Sequence, residues 1–206
     1  MAHAPALRFA RPLAAFALIT LCLTLAGCGI NTIPTYEQNA KAAWSEVLNQ
    51  YKRRADLIPN LVETVKGFAD QEKTVLTEVV EARSKATQVQ ANIPPDILTN
   101  PEAMQKFQEA QSQLGGALGR LLAVVERYPD IKSGQNFLTL QSQIEGTENR
   151  IAVERMRYNE KVQEYNTSKR QFPSNVTASI FRFKDYPFFE VPPEATQVPK
   201  VNFNKS

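Results

Sequence analysis

The chain has 206 residues, 43% of them hydrophobic, which is one domain's worth of sequence with enough apolar material for a core. Its formal charge is +3, but Arg8 and Arg11 lie in a segment read below as removable. That leaves 22 basic residues against 21 acidic, a sign-mixed balance without the clustered cations that a nucleic-acid binder needs. The one histidine, His3, and both cysteines, Cys22 and Cys28, fall in the first 28 residues. The rest of the chain therefore has no means for Ser-His or Cys-His nucleophilic catalysis, or for a histidine- or cysteine-ligated metal.

Residues 1–27 read as a signal peptide: a basic start, an apolar run from Leu13 to Ala26, then Leu25-Ala26-Gly27-Cys28. The run is too short for a membrane-spanning helix of about 20 residues but suits a secretory signal. The last four residues look like a bacterial lipobox, in which Cys28 is diacylglycerated and becomes the acylated first residue. The alternative is an uncleaved signal anchor with Cys28 an incidental buried thiol. Two or three acyl chains hold a protein far more firmly than one. Gly29 follows the cysteine instead of an aspartate, which favours the outer membrane where there are two. Cys22 is lost with the signal, so no disulfide forms.

After a tether over 28–34, Thr35 is a candidate cap for a first helix with its stripe at Tyr36, Ala40, Ala43, Trp44, Val47, Tyr51 and Ala55. Pro59 predicts a break near Arg54–Pro59, and packing of four helices favours a hairpin there over one bent rod. Between Arg53 and Val89, apolar residues recur three and four apart at Ile58, Leu61, Val65, Phe68, Val75, Val79, Ala82, Ala86 and Val89. Glu72 is the one polar interruption of this 3.5-residue seam, which defines a second helix. Residues 92–100 read as a loop. Asn100-Pro101-Glu102 starts a third helix, with Phe107, Ala110, Leu114, Ala117, Leu121, Val124 and Tyr128 on its stripe. Gly115, Gly116 and Gly119 within it suggest close helix–helix approach, or alternatively a hinge.

After a turn at Tyr128-Pro129-Asp130, a fourth helix runs from about Ser133 to Arg170. Its stripe is Phe137, Leu140, Ile144, Thr147, Ile151, Arg155, Tyr158, Val162 and Tyr165. The prediction is an all-α, up-and-down antiparallel four-helix bundle over 35–172. The proline- and aromatic-rich remainder, 173–206, reads as a short helical turn and an extended tail packed on the bundle or the membrane surface.

Three constellations carry possible function. Glu72 and Arg155 interrupt two seams, and a charge there is costly unless paired. With Glu148 and Arg150 they could form a buried polar centre that binds a ligand or sets register; the plainer reading is that they snorkel at the edge. Tyr158-Asn159 and Tyr165-Asn166 repeat at seven residues, so the tyrosines cap core layers and the asparagines select register, or the four form an interaction surface. Glu78/Glu81 and Glu145/Glu148 lie on single faces, but a di-iron bundle also needs Glu-x-x-His, and no histidine remains. A carboxylate-only magnesium or calcium site is the residual metal reading, and no metal or other cofactor is expected. The sequons Asn166-Thr167-Ser168 and Asn175-Val176-Thr177 are treated as chance in a bacterial chain.

Arg53 to Gly67 (RRADLIPNLVETVKG), Leu118 to Glu126 (LGRLLAVVE) and Glu145 to Ile151 (EGTENRI), with Tyr158-Asn159, Tyr165-Asn166 and Phe172-Pro173, resemble the hallmark of LemA proteins over roughly 35–190. The resemblance implies a helical bundle outside the cytoplasm, attached by its N-terminus, with no established catalytic activity. It departs from the common form in carrying a lipobox where the family usually keeps a transmembrane helix. The function expected is a non-enzymatic, membrane-anchored adaptor or scaffold for an envelope protein partner. The alternatives are a carrier of a small apolar ligand, which seam regularity leaves little room for, and a histidine-free metal-dependent hydrolase.

Overall fold

The computed structural model describes residues 31–66 and 72–190. Among these, the ordered elements are helical: α1 (Thr32–Lys66), α2 (Lys73–Ala91), a 3₁₀ turn (Ile97–Thr99), α3 (Pro101–Val125), a single turn α4 (Pro129–Lys132), α5 (Gln135–Ser168) and α6 (Ser174–Phe181). An extended strap from Phe183 to Glu190 follows. Helix α1 packs mainly on α5, α2 packs on α3, and α1 also touches α2. Side-chain contacts set the directions. Arg83 reaches Ala55 and Gln90 reaches Leu48, so α1 and α2 are antiparallel. Arg120 with Glu78 and Arg127 with Glu72 make α2 and α3 antiparallel as well.

The hairpin expected at Arg54–Pro59 does not form, because α1 runs straight through Pro59. Proline lacks the N–H that would pair with the carbonyl four residues back, here that of Ala55. That carbonyl accepts from Arg83 Nε of α2 at 2.7 Å, so no buried acceptor is orphaned and the helix continues. The antiparallel helix that follows α1 begins only at Lys73, and Phe68, expected on the seam, lies outside the described residues. The expected second helix is thereby divided between the end of α1 and the whole of α2. We predict that Arg83→Met costs about 1–3 kcal/mol by leaving the Ala55 carbonyl unpaired. In a Pro59→Ala background, where the helix restores its own bond, the cost should be smaller. Denaturant melts of the two singles and the double measure this.

Other boundaries moved by less. Thr35 lies inside the first turn of α1, and its hydroxyl donates to the Asn31 carbonyl at 2.8 Å. Asn100 caps α3 as its side chain predicts, accepting from Ala103 N at 3.1 Å with Pro101 at the first helical position. Helix α3 ends at Val125, and α4 makes a separate turn before α5 begins at Gln135.

The apolar stripes fill two core clusters. One holds Trp44, Val47, Tyr51, Phe107, Ile151, Tyr158, Val162 and Tyr165 together with Tyr186 and Phe189 of the strap. The other holds Ile58, Leu61, Val65, Val79, Ala86, Leu114, Leu121, Phe137 and Ile144. Between them lies a polar layer. Among the described residues no helix is long and apolar enough to cross a membrane.

Candidate functional site

The polar layer is built by one residue from each of three helices. Arg54 of α1 is 3% exposed. Its Nη1 donates to Glu148 Oε1 of α5 at 2.7 Å, and its Nη2 to Gln111 of α3, at 3.0 Å to the backbone carbonyl and 2.8 Å to Oε1. The guanidinium carbon lies 5.1 Å from the centre of the Tyr51 ring, a cation–π contact. Burial pushes the Tyr51 hydroxyl's pKa up against the opposing pull of Arg155 and Arg54.

Of the four residues read as a polar centre, Glu148 joins this layer and Arg155 reaches its edge at Tyr51, while the other two lie apart from it. Glu72 sits just before α2, where its carboxylate accepts from Arg127 Nη2 at 2.9 Å and Tyr128 Oη at 3.3 Å. Arg150 is exposed. Arg155 turns to the strap: its Nη2 donates to the Glu190 carbonyl at 2.7 Å, and its guanidinium lies 4.9 Å from the Phe189 ring centre. Glu72 meets Arg127, whereas the strap next to Arg155 meets Gln108. Along α3 those levels are about 28 Å apart at 1.5 Å per residue, so Glu72 and Arg155 do not pair.

Arg54 and Gln111 are not singled out from the sequence, although the spacing carries a signal for both. Arg54 is three residues after Tyr51 and four before Ile58; Gln111 is four after Phe107 and three before Leu114. Each stands on its seam beside an alanine, Ala55 or Ala110, that reads equally well as the core residue.

Beside this layer α3 and α5 part to leave a cleft of about 530 Å³. Tyr51 and Arg54 form its floor, Gln105, Gln108 and Ser112 one wall, Ile151 and Arg155 the other, and Pro187 and Phe188 of the strap close one side. Gly115 and Gly116 line it too. A Cβ at Gly115 would lie 3.7 Å from Arg54 Nη1, and one at Gly116 3.8 Å from Arg120 Nη1, while Gly119 meets nothing within 4 Å among the described residues. These distances correct the reading of close helix–helix approach: none is tight, and the first two glycines border open space.

The Tyr-Asn repeat holds the strap. Asn159 Nδ2 donates to the Phe189 carbonyl (3.1 Å) while its Oδ1 accepts from Phe189 N (2.8 Å). Asn166 repeats the pattern on Tyr186, at 2.9 and 3.0 Å. Tyr158 and Tyr165 hydroxyls donate to the Pro187 and Lys184 carbonyls, at 3.0 and 3.1 Å. Seven helical residues advance about 10.5 Å and three extended residues about 10 Å, so a heptad on α5 matches a three-residue step on the strap. The sequence offers the tyrosines as caps of core layers, or all four residues as an interaction surface; both tyrosines are buried in the core, and the polar partner of all four is the chain's own strap. Phe189 stacks on Trp44 at 5.7 Å, and Tyr186 lies 4.5 Å from Tyr165.

Asn166→Ala removes both bonds to Tyr186 and should release the strap, at about 1–3 kcal/mol for the backbone groups left unpaired. Asn166→Asp keeps the acceptor and loses the donor, so its effect should fall between. Faster hydrogen exchange at the Tyr186 and Phe189 amides measures both.

Strap retention should also depend on pH. Hydrogen bonds from Lys169 (2.7 Å) and Arg170 (3.1 Å) hold the Asp185 carboxyl below its ordinary 3.8. A lowered folded pKa gives stability that is present above the unfolded value and lost as pH falls through the folded one. Burial raises the hydroxyls of Tyr158, Tyr165 and Tyr186 above their ordinary 10.0, so their contribution is present below that value and lost as pH rises through the raised ones. Exchange at the strap amides, corrected for its intrinsic pH dependence, should be slowest between these limits, and Asp185→Asn should flatten the acid limb.

The acidic pairs do not converge. Glu78 pairs with Arg120 at 3.1 Å, Glu145 accepts from Gln141 at 2.9 Å, and Glu148 serves Arg54. Among the described residues no three histidine, cysteine, aspartate or glutamate side chains are grouped to hold a metal. Cys28 lies outside the described residues.

The chain is similar to known proteins over most of its length. The chain is 27% identical to magnetosome protein MamQ 2 of Paramagnetospirillum magneticum over 177 residues, covering 79% of this chain and 65% of that protein. It is 25% identical to magnetosome protein MamQ of Magnetospirillum gryphiswaldense with the same coverage. Protein LemA of Metamycoplasma hominis is 24% identical over 155 residues, 75% of this chain and 64% of that one. The chain thus spans about two thirds of the length of these relatives. The LemA family model matches residues 43–203, which takes in α2 to α6, all but the first turns of α1, and the strap with its Tyr-Asn ladder: the chain belongs to the LemA family.

Proposed function

We propose that this chain is a lipid-anchored, non-catalytic scaffold of the bacterial envelope, in which the long helices α1, α2, α3 and α5 form an up-and-down antiparallel four-helix bundle. Cys28 carries the anchor, with the outer membrane favoured by Gly29, and the bundle presents its surfaces to another envelope protein. The observation that carries this reading is the start of α1 at Thr32, four residues after Cys28. A chain of four residues reaches no further than about 14 Å, so an acylated Cys28 holds the end of the helical body close to lipid. The relatives' name, magnetosome protein, refers them to a cellular structure and not to a reaction, which suits a scaffold.

The test is Cys28→Ser in the full chain. The variant should keep residues 1–27 uncleaved and carry no acyl mass, so that the retained apolar run Leu13 to Ala26 alone holds it at the membrane. A processed Cys28→Ser protein that still needs detergent would overturn the anchor.

The cleft favours a second reading, ligand binding between helices. Its lining of Gln105, Gln108, Ser112, Arg54, Arg155 and Glu109 suits a polar or peptidic occupant better than the small apolar ligand of the carrier alternative.

A further inference from the structure

Helix α6 is amphipathic in the unusual sense that its apolar side faces out. Ser174 and Ala178 are buried against the body, where Ala178 joins the cluster that includes Ile33 at the start of α1. On the opposite side Val176 is 53% and Ile180 70% exposed, four residues apart, and Phe172, four residues earlier, is 78% exposed. Phe181 is exposed too, but it projects from the Ser174 side of the helix and its ring lies 6.3 Å from that of Phe183. Exposed apolar residues are ordinary when scattered; three at four-residue spacing make a patch that calls for a partner. Arg170 nearby is paired with Asp185 at 3.1 Å, while Arg182 and Lys184 are exposed just beyond α6.

The position of the patch identifies the partner. Thr32 and Tyr36 of α1 share a surface hollow with Phe172 and Ser174, so the patch lies at the end of the body from which the N-terminal segment departs. That segment carries the apolar run Leu13 to Ala26 and Cys28. We propose that the outer face of α6, through Val176 and Ile180 with Phe172 just before the helix, docks into the interfacial region of the lipid bilayer, with Arg182 and Lys184 meeting anionic headgroups. An apolar face fringed by cations is what an interfacial helix requires. Docking gives the body a fixed attitude on the membrane, with α6 down and the far ends of α1 and α2 in the periplasm. The inference rests on the anchored reading above and deepens it, since the anchor brings this end to lipid and α6 supplies a second contact.

The experiment uses the full chain in a Cys22→Ser background, purified from membranes and reconstituted in phosphatidylethanolamine/phosphatidylglycerol vesicles. An environment-sensitive fluorophore is attached at Ile180→Cys, and in separate samples at Val176→Cys and Val80→Cys; nitroxide-bearing acyl chains serve as quencher. Val80 is 49% exposed but lies about three quarters of the way along α1, about 39 Å along the helix from Thr32 at 1.5 Å per residue. Labels at 180 and 176 should shift to the blue and lose most of their emission, and the label at 80 should do neither. Val176→Asp/Ile180→Asp, surface changes in a folded body, should abolish quenching of a label at Phe172→Cys while the chain still floats with the vesicles. Equal quenching at 180 and 80 on floating chains would overturn the docking and leave the anchor standing, and would assign the patch to a protein. The parent without an added cysteine tests the anchor separately: an acylated Cys28 takes no label. Labelling of that parent, with no flotation, would overturn both.

Discussion

Breaking the polar layer should cost more than its half-open position suggests. Arg54→Ala removes a buried guanidinium that makes three hydrogen bonds and packs on Tyr51. We expect a loss of about 3 kcal/mol, at the lower end of the range for a buried pair, because Glu148 stays 42% exposed and can take up water. Glu148→Ala leaves the cation with neutral acceptors only, and should cost about 2 kcal/mol for the same reason. Arg54→Met combined with Glu148→Leu removes both charges and their desolvation, so the double variant should cost clearly less than the sum. Chemical unfolding of the four species gives the coupling directly. Effects additive within about 0.5 kcal/mol would show that the layer is two independently solvated side chains.

A second large effect lies in the aromatic core. Phe107 is fully buried, with its ring 5.2 Å from Trp44 and 5.3 Å from Tyr51, edge-on to both. Phe107→Ala deletes the ring at the meeting of α1 and α3 and is expected to cost about 3–5 kcal/mol. Trp44 is the only tryptophan, so its fluorescence reports the change at its source. Lys85→Ala serves as the control: its ammonium only meets exposed Gln113 at 2.9 Å, and the change should stay within about 0.5 kcal/mol. Similar midpoint shifts for the two would mean that the helical phase of α3 is misassigned.

Much of the core was legible because heptad spacing is a global signal. Trp44, Val47, Tyr51, Ile58, Leu61, Phe107, Leu114, Leu121, Ile144, Tyr158 and Tyr165 were all read as seam residues and all are buried. The errors fall where a local rule met a tertiary compensation. Pro59 reads as a breaker, and only Arg83, 24 residues on, rescues the Ala55 carbonyl; nothing in the local sequence announces that bond. The misplaced turn then carried one helical phase across 67–72, which set Glu72 on a seam that ends before it. The same break drew attention to Ala55 over Arg54, since a charge at a seam position reads as an error until its partners on two other helices are known.

The Tyr-Asn repeat illustrates a different limit. Its period showed that Tyr158, Asn159, Tyr165 and Asn166 act as a set, but asparagine amides read backbone and carry no preference for which backbone. That the strap is the chain's own depends on residues 184–190 returning along α5, which no pattern in α5 encodes. The exposure of Phe172, Val176 and Ile180 was equally hidden, because an apolar residue in a short helix reads as core by default.

Most of the functional account hangs from Cys28. Mass measurement of the N-terminal peptide of the full chain, recovered from the membrane fraction, tests it directly. The account predicts a mature chain beginning at Cys28, its mass raised by a thioether-linked diacylglycerol and an amide-linked acyl chain. An N-terminal peptide that retains residues 1–27, or that begins at or beyond Cys28 without acyl mass, would contradict it.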